Sequence, residues 1–374
     1  MTTNLIVRDD PIAIIGTGQM GVAIAAAFLK RGLCVTLFDA SEQAVASAAQ
    51  RVAAELALQN VAFPAELSAN LTCTRSLDEV CRATFLLETI TEKLRAKSRL
   101  YAEVVPLLDD ATMLVSNTST ISIDQLAATL PTGLNMAARF CGFHFFHPVR
   151  ERSLVEIIRG NATSPETLER AKRLASAIDK TPLTVNDGPG FVVNRLLNAY
   201  LSGALQLLAE GATIRQIDAA AEQFGMAMGP FRIMDEIGLD VTMHGGWVLY
   251  KAFPDRVEPS PILLELVRNG HLGRKTGCGF YRYVSATMTS AMWESPGTPH
   301  NELETKIAEA YRGGQSEPLP SVTTDVMIDR TIGEMFREGQ RILNDGIVTS
   351  PAEIELAVTL GLGFPKNHWK NTFA

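Results

Sequence analysis

The chain is short of the residues that mark several protein classes. Its five cysteines (Cys34, Cys73, Cys81, Cys141 and Cys278) are scattered over 374 residues and form no CxxC pair. That pattern fits reduced thiols, not a disulfide framework or a cysteine metal site. Basic residues are outnumbered, 34 Lys and Arg against 41 Asp and Glu, for a formal net charge of −7. Phosphate backbones bind basic faces, so nucleic acid is excluded as an expected partner. No apolar run approaches the roughly 18 residues that span a bilayer, so no membrane partner is expected either. The opening MTTNLIVRDDP has acids where a signal peptide has an apolar stretch, and the expected location is the cytoplasm. Hydrophobic residues, by contrast, make up 46% of the chain and charged residues 20%. This is the balance of a globular protein with real cores, long enough for two or three domains.

Residues 12–39 read as strand, glycine-rich turn, helix, strand. Ile12-Ala13-Ile14-Ile15 is a short apolar run of the kind buried on both faces of a sheet. Val22 to Lys30 is Ala-rich and helical, Gly32 closes it, and Val35–Phe38 forms a second strand ending at Asp39. A helix over 41–62 follows, then short apolar runs at Thr84–Leu87, Met113–Ser116, Cys141–Phe146 and Leu154–Ile158, separated by helical stretches. Strands alternating with helices predict a doubly wound, mainly parallel α/β sheet of the Rossmann type. At Asn186-Asp187-Gly188-Pro189-Gly190 the pattern turns almost wholly helical, which predicts a domain boundary and an all-α C-terminal part. That part carries a degenerate repeat. Arg195, Gly211 and Pro230 recur as Arg330, Gly346 and Pro365, with Arg195→Arg330 and Pro230→Pro365 both offset by 135 residues, which predicts an internal duplication. Asp329 stands where the first copy has Asn194, so only the first copy retains the Asn.

The glycines of Gly16-Thr17-Gly18-Gln19-Met20-Gly21 serve three separate ends. The first permits a tight turn, the second lets the backbone approach a pyrophosphate, and the third allows close helix–strand packing. The helix that follows offers free N–H groups and a positive dipole end to phosphate. Asp39, eighteen residues after Gly21, is placed to accept the adenosine ribose hydroxyls, and Ala40 and Ser41 supply no base for a 2′-phosphate. The predicted cofactor is NAD. Further on, His144 ends one strand and Glu156 lies in the next, twelve residues later. A buried carboxylate beside an imidazole fixes its tautomer and stabilises its protonated form, as a base in alcohol oxidation requires. From these residues alone the histidine reads as structural more often than catalytic.

The motifs GTGQMG, ETITEKLRAK, SNTSTISI, GFHFFHP, LVEII, NDGPGFVVNRLL, KTGCGFYRY and GLGFP occur in an order and spacing that resemble the L-3-hydroxyacyl-CoA dehydrogenase family. The likeness is to the dehydrogenase half of the bacterial fatty-oxidation multienzyme α subunit, without a hydratase domain. It implies His144 as catalytic base, Glu156 as its partner, and Asn194 and Ser119 near the substrate oxygens. It also implies that Glu92 and Lys97 meet the nicotinamide end of NAD, with Asn117 and His147 beside it and Lys275 closing on the cofactor. The substrate would be an acyl thioester, and Asn194 would face a cleft between domains. The expected divisions are 1–186 for NAD binding, 187–284 for a helical domain, 285–322 for a linker and 323–374 for a truncated second copy, with a possible homodimer through the helical part.

Three departures from the resemblance stand out. His147 replaces the usual Asn. An HxxH pair invites a metal reading, but no further His or Cys clusters with it, so no metal is predicted. From residue 40 to 72 the only base is Arg51, and Glu55 and Ala62 occupy positions where relatives have a Ser and a Lys that meet CoA. A carboxylate there would repel CoA phosphates, which raises an acyl carrier protein as the alternative bearer of the acyl group. Leu360 precedes GLGFP, where the multienzymes tend to have Tyr near the substrate. The competing readings are a free hydroxy-acid dehydrogenase, with Arg150 or Arg152 as its anion site, and a non-catalytic NAD-binding scaffold.

Overall fold

Apolar runs of four to six residues build the sheet that opens the chain. Its strands are β1 (Ile12–Ile15), β2 (Val35–Phe38), β3 (Leu71–Thr74), β4 (Phe85–Glu88), β5 (Met113–Ser116), β6 (Phe140–Phe145), β7 (Leu154–Arg159) and β8 (Thr181–Asn186). The computed structural model describes residues 11–132, 135–283, 297–300, 302–303, 305–306 and 322–365. Two units divide the chain, Met1–Phe191 and Val192–Ala374.

In the first unit the strand order is β3-β2-β1-β4-β5-β6-β7-β8. Neighbours are parallel except β6 and β7, which run antiparallel. The order reverses between β1 and β4, so their carboxyl ends diverge there and leave the crevice where ligands bind in doubly wound sheets. β1, β4 and β5 are buried along their whole length. Helix α1 (Gln19–Leu29) packs on the sheet through Ala23, Ala25 and Ala26, whose small side chains permit close approach, while Phe28 meets Phe85 and Phe85 meets Phe143. Helix α2 (Glu42–Ala57) begins at Ser41, whose hydroxyl accepts the Ala44 N–H, and buries Ala48, Val52 and Leu56. β3 and β8 are not among the strands expected from the sequence. They are the two edges of the sheet, where burial is one-sided and the apolar signal fades: Leu71–Thr74 reads Leu-Thr-Cys-Thr, and β8 contains Pro182.

The second unit is helical, with helices Val193–Glu210, Ile214–Phe224, Pro230–Ile237, Leu239–Ala252 and Pro261–Arg268. A later helix runs from Thr324 to Asn344 with a widened π turn at Asp329–Gly333, followed by Pro351–Leu356. Two ion pairs join the segments that the sequence suggests as repeat counterparts. Arg195 Nη2 lies 2.8 Å from Asp345, and Arg330 Nη2 lies 2.7 Å from Glu210. Arg195 and Arg330 are repeat counterparts, and so are Glu210 and Asp345, each pair 135 residues apart. Each of the two helices therefore lends its arginine to an acid at the far end of the other. The linker expected over 285–322 lies largely outside the described residues. Within it Thr298–Pro299 pairs antiparallel with Tyr281–Arg282.

Candidate active site

The nucleotide turn has the geometry its glycines predict. Gly16 adopts φ +110°, and a Cβ there would meet the Thr89 carbonyl oxygen at 2.7 Å. A Cβ on Gly21 would come 1.8 Å from the Gly16 carbonyl oxygen, so the third glycine is fixed by the first. A Cβ on Gly18 would meet nothing within 4 Å, which leaves its face open. Gly18 caps α1 without a side-chain hydrogen bond, and no acid stands in the first turn. The N–H groups of that turn are thus left to an anion. Asp39 follows β2, its Oδ2 accepting the Thr17 N–H at 3.0 Å and the Thr17 hydroxyl at 2.8 Å, and its Oδ1 accepting the Ser41 N–H at 3.0 Å. Burial would raise the Asp39 pKa, but these hydrogen bonds and the charge of Arg51 outweigh it and hold the carboxyl below its ordinary range. Open glycine face, uncapped helix and ionised acid together fit NAD. Met20 lies in the first turn of α1, partly buried against the core.

His144 and Glu156 are brought together by the antiparallel pairing. The register sets His144 directly opposite Glu156, and Nδ1 stands 2.8 Å from Oε2. Both residues are buried, His144 at 4% exposure and Glu156 at 0%. The contact makes Nδ1 the donor and leaves Nε2 as the ring's available proton acceptor. The rings of Phe146 and Phe191 pack on the imidazole with centroids at 4.5 and 5.7 Å. Phe191 was not among the expected site residues. Its signal lies in the NDGPGF motif, where Gly190 (φ +72°) and Phe191 itself (φ +50°) are consecutive left-handed residues. A bulky residue in this conformation is strained, and here it packs against the buried histidine.

Glu92 organises the loop after β5. Its Oε1 accepts the Thr118 hydroxyl at 2.7 Å, the Ser119 N–H at 2.8 Å and the Thr120 N–H at 2.9 Å, and Oε2 lies 3.3 Å from Lys97 Nζ. Burial raises the carboxyl's pKa, but Lys97 and these donors prevail and hold it at about 2. Lys97 is itself buried and sits 2.6 Å from Glu88, whose other oxygen accepts Tyr101 and Ser116 hydroxyls at 3.0 and 2.7 Å. Ser119 thus shares a cluster with Glu92 and Lys97. Lys97 reaches the site through its carboxylate partners, and Glu88, the first residue of the ETITEKLRAK motif, was not among the expected site residues. Asn117 Oδ1 accepts the Phe145 N–H at 2.9 Å and ties this loop to the strand that carries His144.

His147 faces the nucleotide turn, with the Gln19 amide 2.8 Å from its Nε2. Burial, with Arg150 and Arg152 adding to it, lowers its pKa, so the ring accepts the Gln19 bond in its neutral form. Glu55 is not the isolated negative charge expected from the sequence. Arg150 lies 3.4 Å from it and 2.9 Å from Glu151. That pairing removes the physical ground for expecting Glu55 to repel phosphate, and it engages Arg150, one of the two arginines considered for a free acid. Asn194 and Lys275 belong to the second unit. Asn194 is in the first turn of Val193–Glu210, and Lys275 is half-exposed and paired with Asp240. Among the described residues no group of three His, Cys, Asp or Glu is placed to hold a metal ion, and no helix is long and apolar enough to cross a membrane.

Comparisons with known proteins identify the family. Residues 11–188 match the family model of the 3-hydroxyacyl-CoA dehydrogenase NAD binding domain, and residues 190–283 match that of the 3-hydroxyacyl-CoA dehydrogenase C-terminal domain. The chain is similar to the crystal structure of a 3-hydroxybutyryl-CoA dehydrogenase from Escherichia coli K12, with TM-score 0.81 and 26% identity over 98% of this chain and 92% of that one. It is similar to an (S)-3-hydroxybutyryl-CoA dehydrogenase from Ralstonia eutropha, with TM-score 0.69 and 34% identity over 74% of this chain and 99% of that one. A third likeness is to the dehydrogenase part of a multifunctional enzyme from C. elegans, with TM-score 0.66 and 28% identity over 95% of this chain and 79% of that one. With an NAD-type nucleotide turn, a buried His–Glu pair and both family domains in order, the chain belongs to the 3-hydroxyacyl-CoA dehydrogenase family and is an NAD-dependent oxidoreductase.

Proposed function

We propose that this protein interconverts an L-3-hydroxyacyl thioester and the 3-oxoacyl thioester, with His144 as the general base. The observation that carries this reading is the buried contact of 2.8 Å between His144 Nδ1 and Glu156. It leaves Nε2 to take the proton of the 3-hydroxyl as the C3–O bond becomes a carbonyl. NAD, when bound, supplies the acceptor for the C3 hydrogen and its electron pair. Glu156 holds the ring and balances the charge that His144 gains, and positioned proton transfer of this kind contributes roughly 10²–10⁴-fold to rate. Phe146 and Phe191 keep water from the imidazole.

The remaining roles follow the family likeness. Gly16, Gly18, Gln19, Met20, Gly21 and Asp39 hold the adenosine and pyrophosphate half of NAD. Glu92, Lys97, Asn117 and His147 shape its nicotinamide end, and the likeness assigns Lys275 to the cofactor as well. Ser119 and Asn194 serve the substrate oxygens. The acyl group is carried on CoA. Glu55 is balanced by Arg150, so no uncompensated carboxylate opposes CoA phosphates from that position.

Three substrates test this assignment side by side: 3-hydroxybutyryl-CoA, the same acyl group on a phosphopantetheinylated carrier protein, and free 3-hydroxybutyrate. NADH formation should be fastest with the CoA ester. Faster turnover of the carrier form would move the substrate to an acyl carrier protein, and turnover of the free acid alone would remove the thioester from the reading.

A further inference from the structure

Thr17 is held between opposite charges. Its N–H and hydroxyl donate to Asp39, while its carbonyl oxygen accepts Arg51 Nη1 at 2.7 Å. Arg51 reaches this point from α2, crossing over the nucleotide turn, and is partly buried there. Its charge acts on Asp39. It is the single base between positions 40 and 72. The hydrogen bond to Thr17 uses one guanidinium donor, and no other hydrogen bond of Arg51 occurs among the described residues. A planar cation with donors to spare therefore lies next to the acid that meets the adenosine ribose.

We infer that Arg51 is a specificity residue for the cofactor: with Asp39 present it offsets the acid's charge beside a pyrophosphate, and without Asp39 it is a ready ligand for a 2′-phosphate. The inference rests on the proposed placement of the adenosine ribose at Asp39, and not on the identity of the substrate. Two ribose hydroxyls suit the ionised Asp39, which accepts from both. A 2′-phosphate brings negative charge to the same carboxylate and is repelled. NAD is thus favoured while Asp39 stands. Once Asp39 is gone, the guanidinium is uncompensated, and its fork matches a phosphate's oxygens with charge-assisted hydrogen bonds. Ala40 and Ser41, the residues that directly follow the acid, supply no such cation. The base comes instead from the middle of the next helix, where the sequence next to Asp39 gives no sign of it.

Direct cofactor binding tests this without any acyl substrate, by fluorescence titration of NADH and NADPH. The native chain should bind NADH far more tightly. Asp39→Ser should raise NADPH affinity about tenfold or more, and adding Arg51→Ala to it should abolish that gain. Arg51→Ala in the otherwise native chain keeps every Asp39 hydrogen bond, so it reports even where Asp39→Ser misfolds; it should lower NADPH affinity more than NADH affinity. A role confined to stapling α2 to the turn would lower both affinities equally. Equal losses, or NADPH binding by Asp39→Ser that does not depend on Arg51, would overturn the inference. So would an Asp39→Ser chain that folds and gains no NADPH affinity.

Discussion

At the scale of single residues, the nucleotide turn separates two jobs that share one motif. Gly21 is required by packing, since its Cβ would collide with the Gly16 carbonyl. Gly18 is not, since its Cβ would touch no protein atom, and its φ of −62° suits any residue. Gly18→Ala should therefore melt at the temperature of the native chain while its NADH affinity drops about tenfold or more, because the added methyl occupies the pyrophosphate face. Gly21→Ala should lose both stability and binding. Thermal melts beside NADH titrations check this; unchanged NADH binding by Gly18→Ala would remove the pyrophosphate from that face. The glycines of the turn and Asp39 were legible from the sequence because their spacing follows from fixed geometry, whereas His144 and Glu156 were legible through the family likeness of their motifs. Glu88 and Arg51 were not. Each acts through a partner far along the chain, Ser116 for one and Thr17 for the other.

Among the elements, the interior strands β1, β2, β4, β5, β6 and β7 announced themselves as apolar runs, and the edges β3 and β8 did not. Burial on both faces writes a continuous signal, while burial on one face leaves alternation too short to read in four to six residues. The antiparallel turn of β7 was equally silent, although it is what sets His144 opposite Glu156. In the helical unit the repeat was legible as Arg, Gly and Pro at constant offset, but the close crossing of its two copies was not. Gly203 in Val193–Glu210 makes that crossing possible: a Cβ there would come 1.9 Å from the Arg330 carbonyl oxygen in the π turn. Gly203→Ala should destabilise the protein by about 1–3 kcal/mol through forced separation of the helices. Urea unfolding measures this, and an unchanged midpoint would mean that the helices cross more loosely than this contact requires.

For the molecule as a whole, buried acids make stability depend on pH in a direction composition does not suggest. Asp218 and Asp235 lie in the second unit, where burial pushes both up to about 7 despite hydrogen bonds from Tyr281 and Phe231 to one and from Phe280, Tyr281 and Tyr283 to the other. Between about pH 4 and 7 the folded unit keeps protons that the unfolded chain has lost, so stability falls as pH rises through that window. Trp247 lies in helix Leu239–Ala252 of this unit, and its fluorescence serves as the reporter. The unit's melting temperature should be lower at pH 8 than at pH 5, and the difference should shrink in Asp218→Asn and Asp235→Asn. A difference that both variants retain in full would contradict the assignment. The central claim, that this NAD-dependent oxidoreductase works through a buried His–Glu base, is tested most directly by NADH formation from 3-hydroxybutyryl-CoA in the native chain, His144→Gln and Glu156→Gln. The expected result is a rate lowered by roughly 10²–10⁴-fold in His144→Gln, a smaller loss in Glu156→Gln, and NADH affinity close to native in both. A His144→Gln chain that turns over at the native rate would contradict the claim.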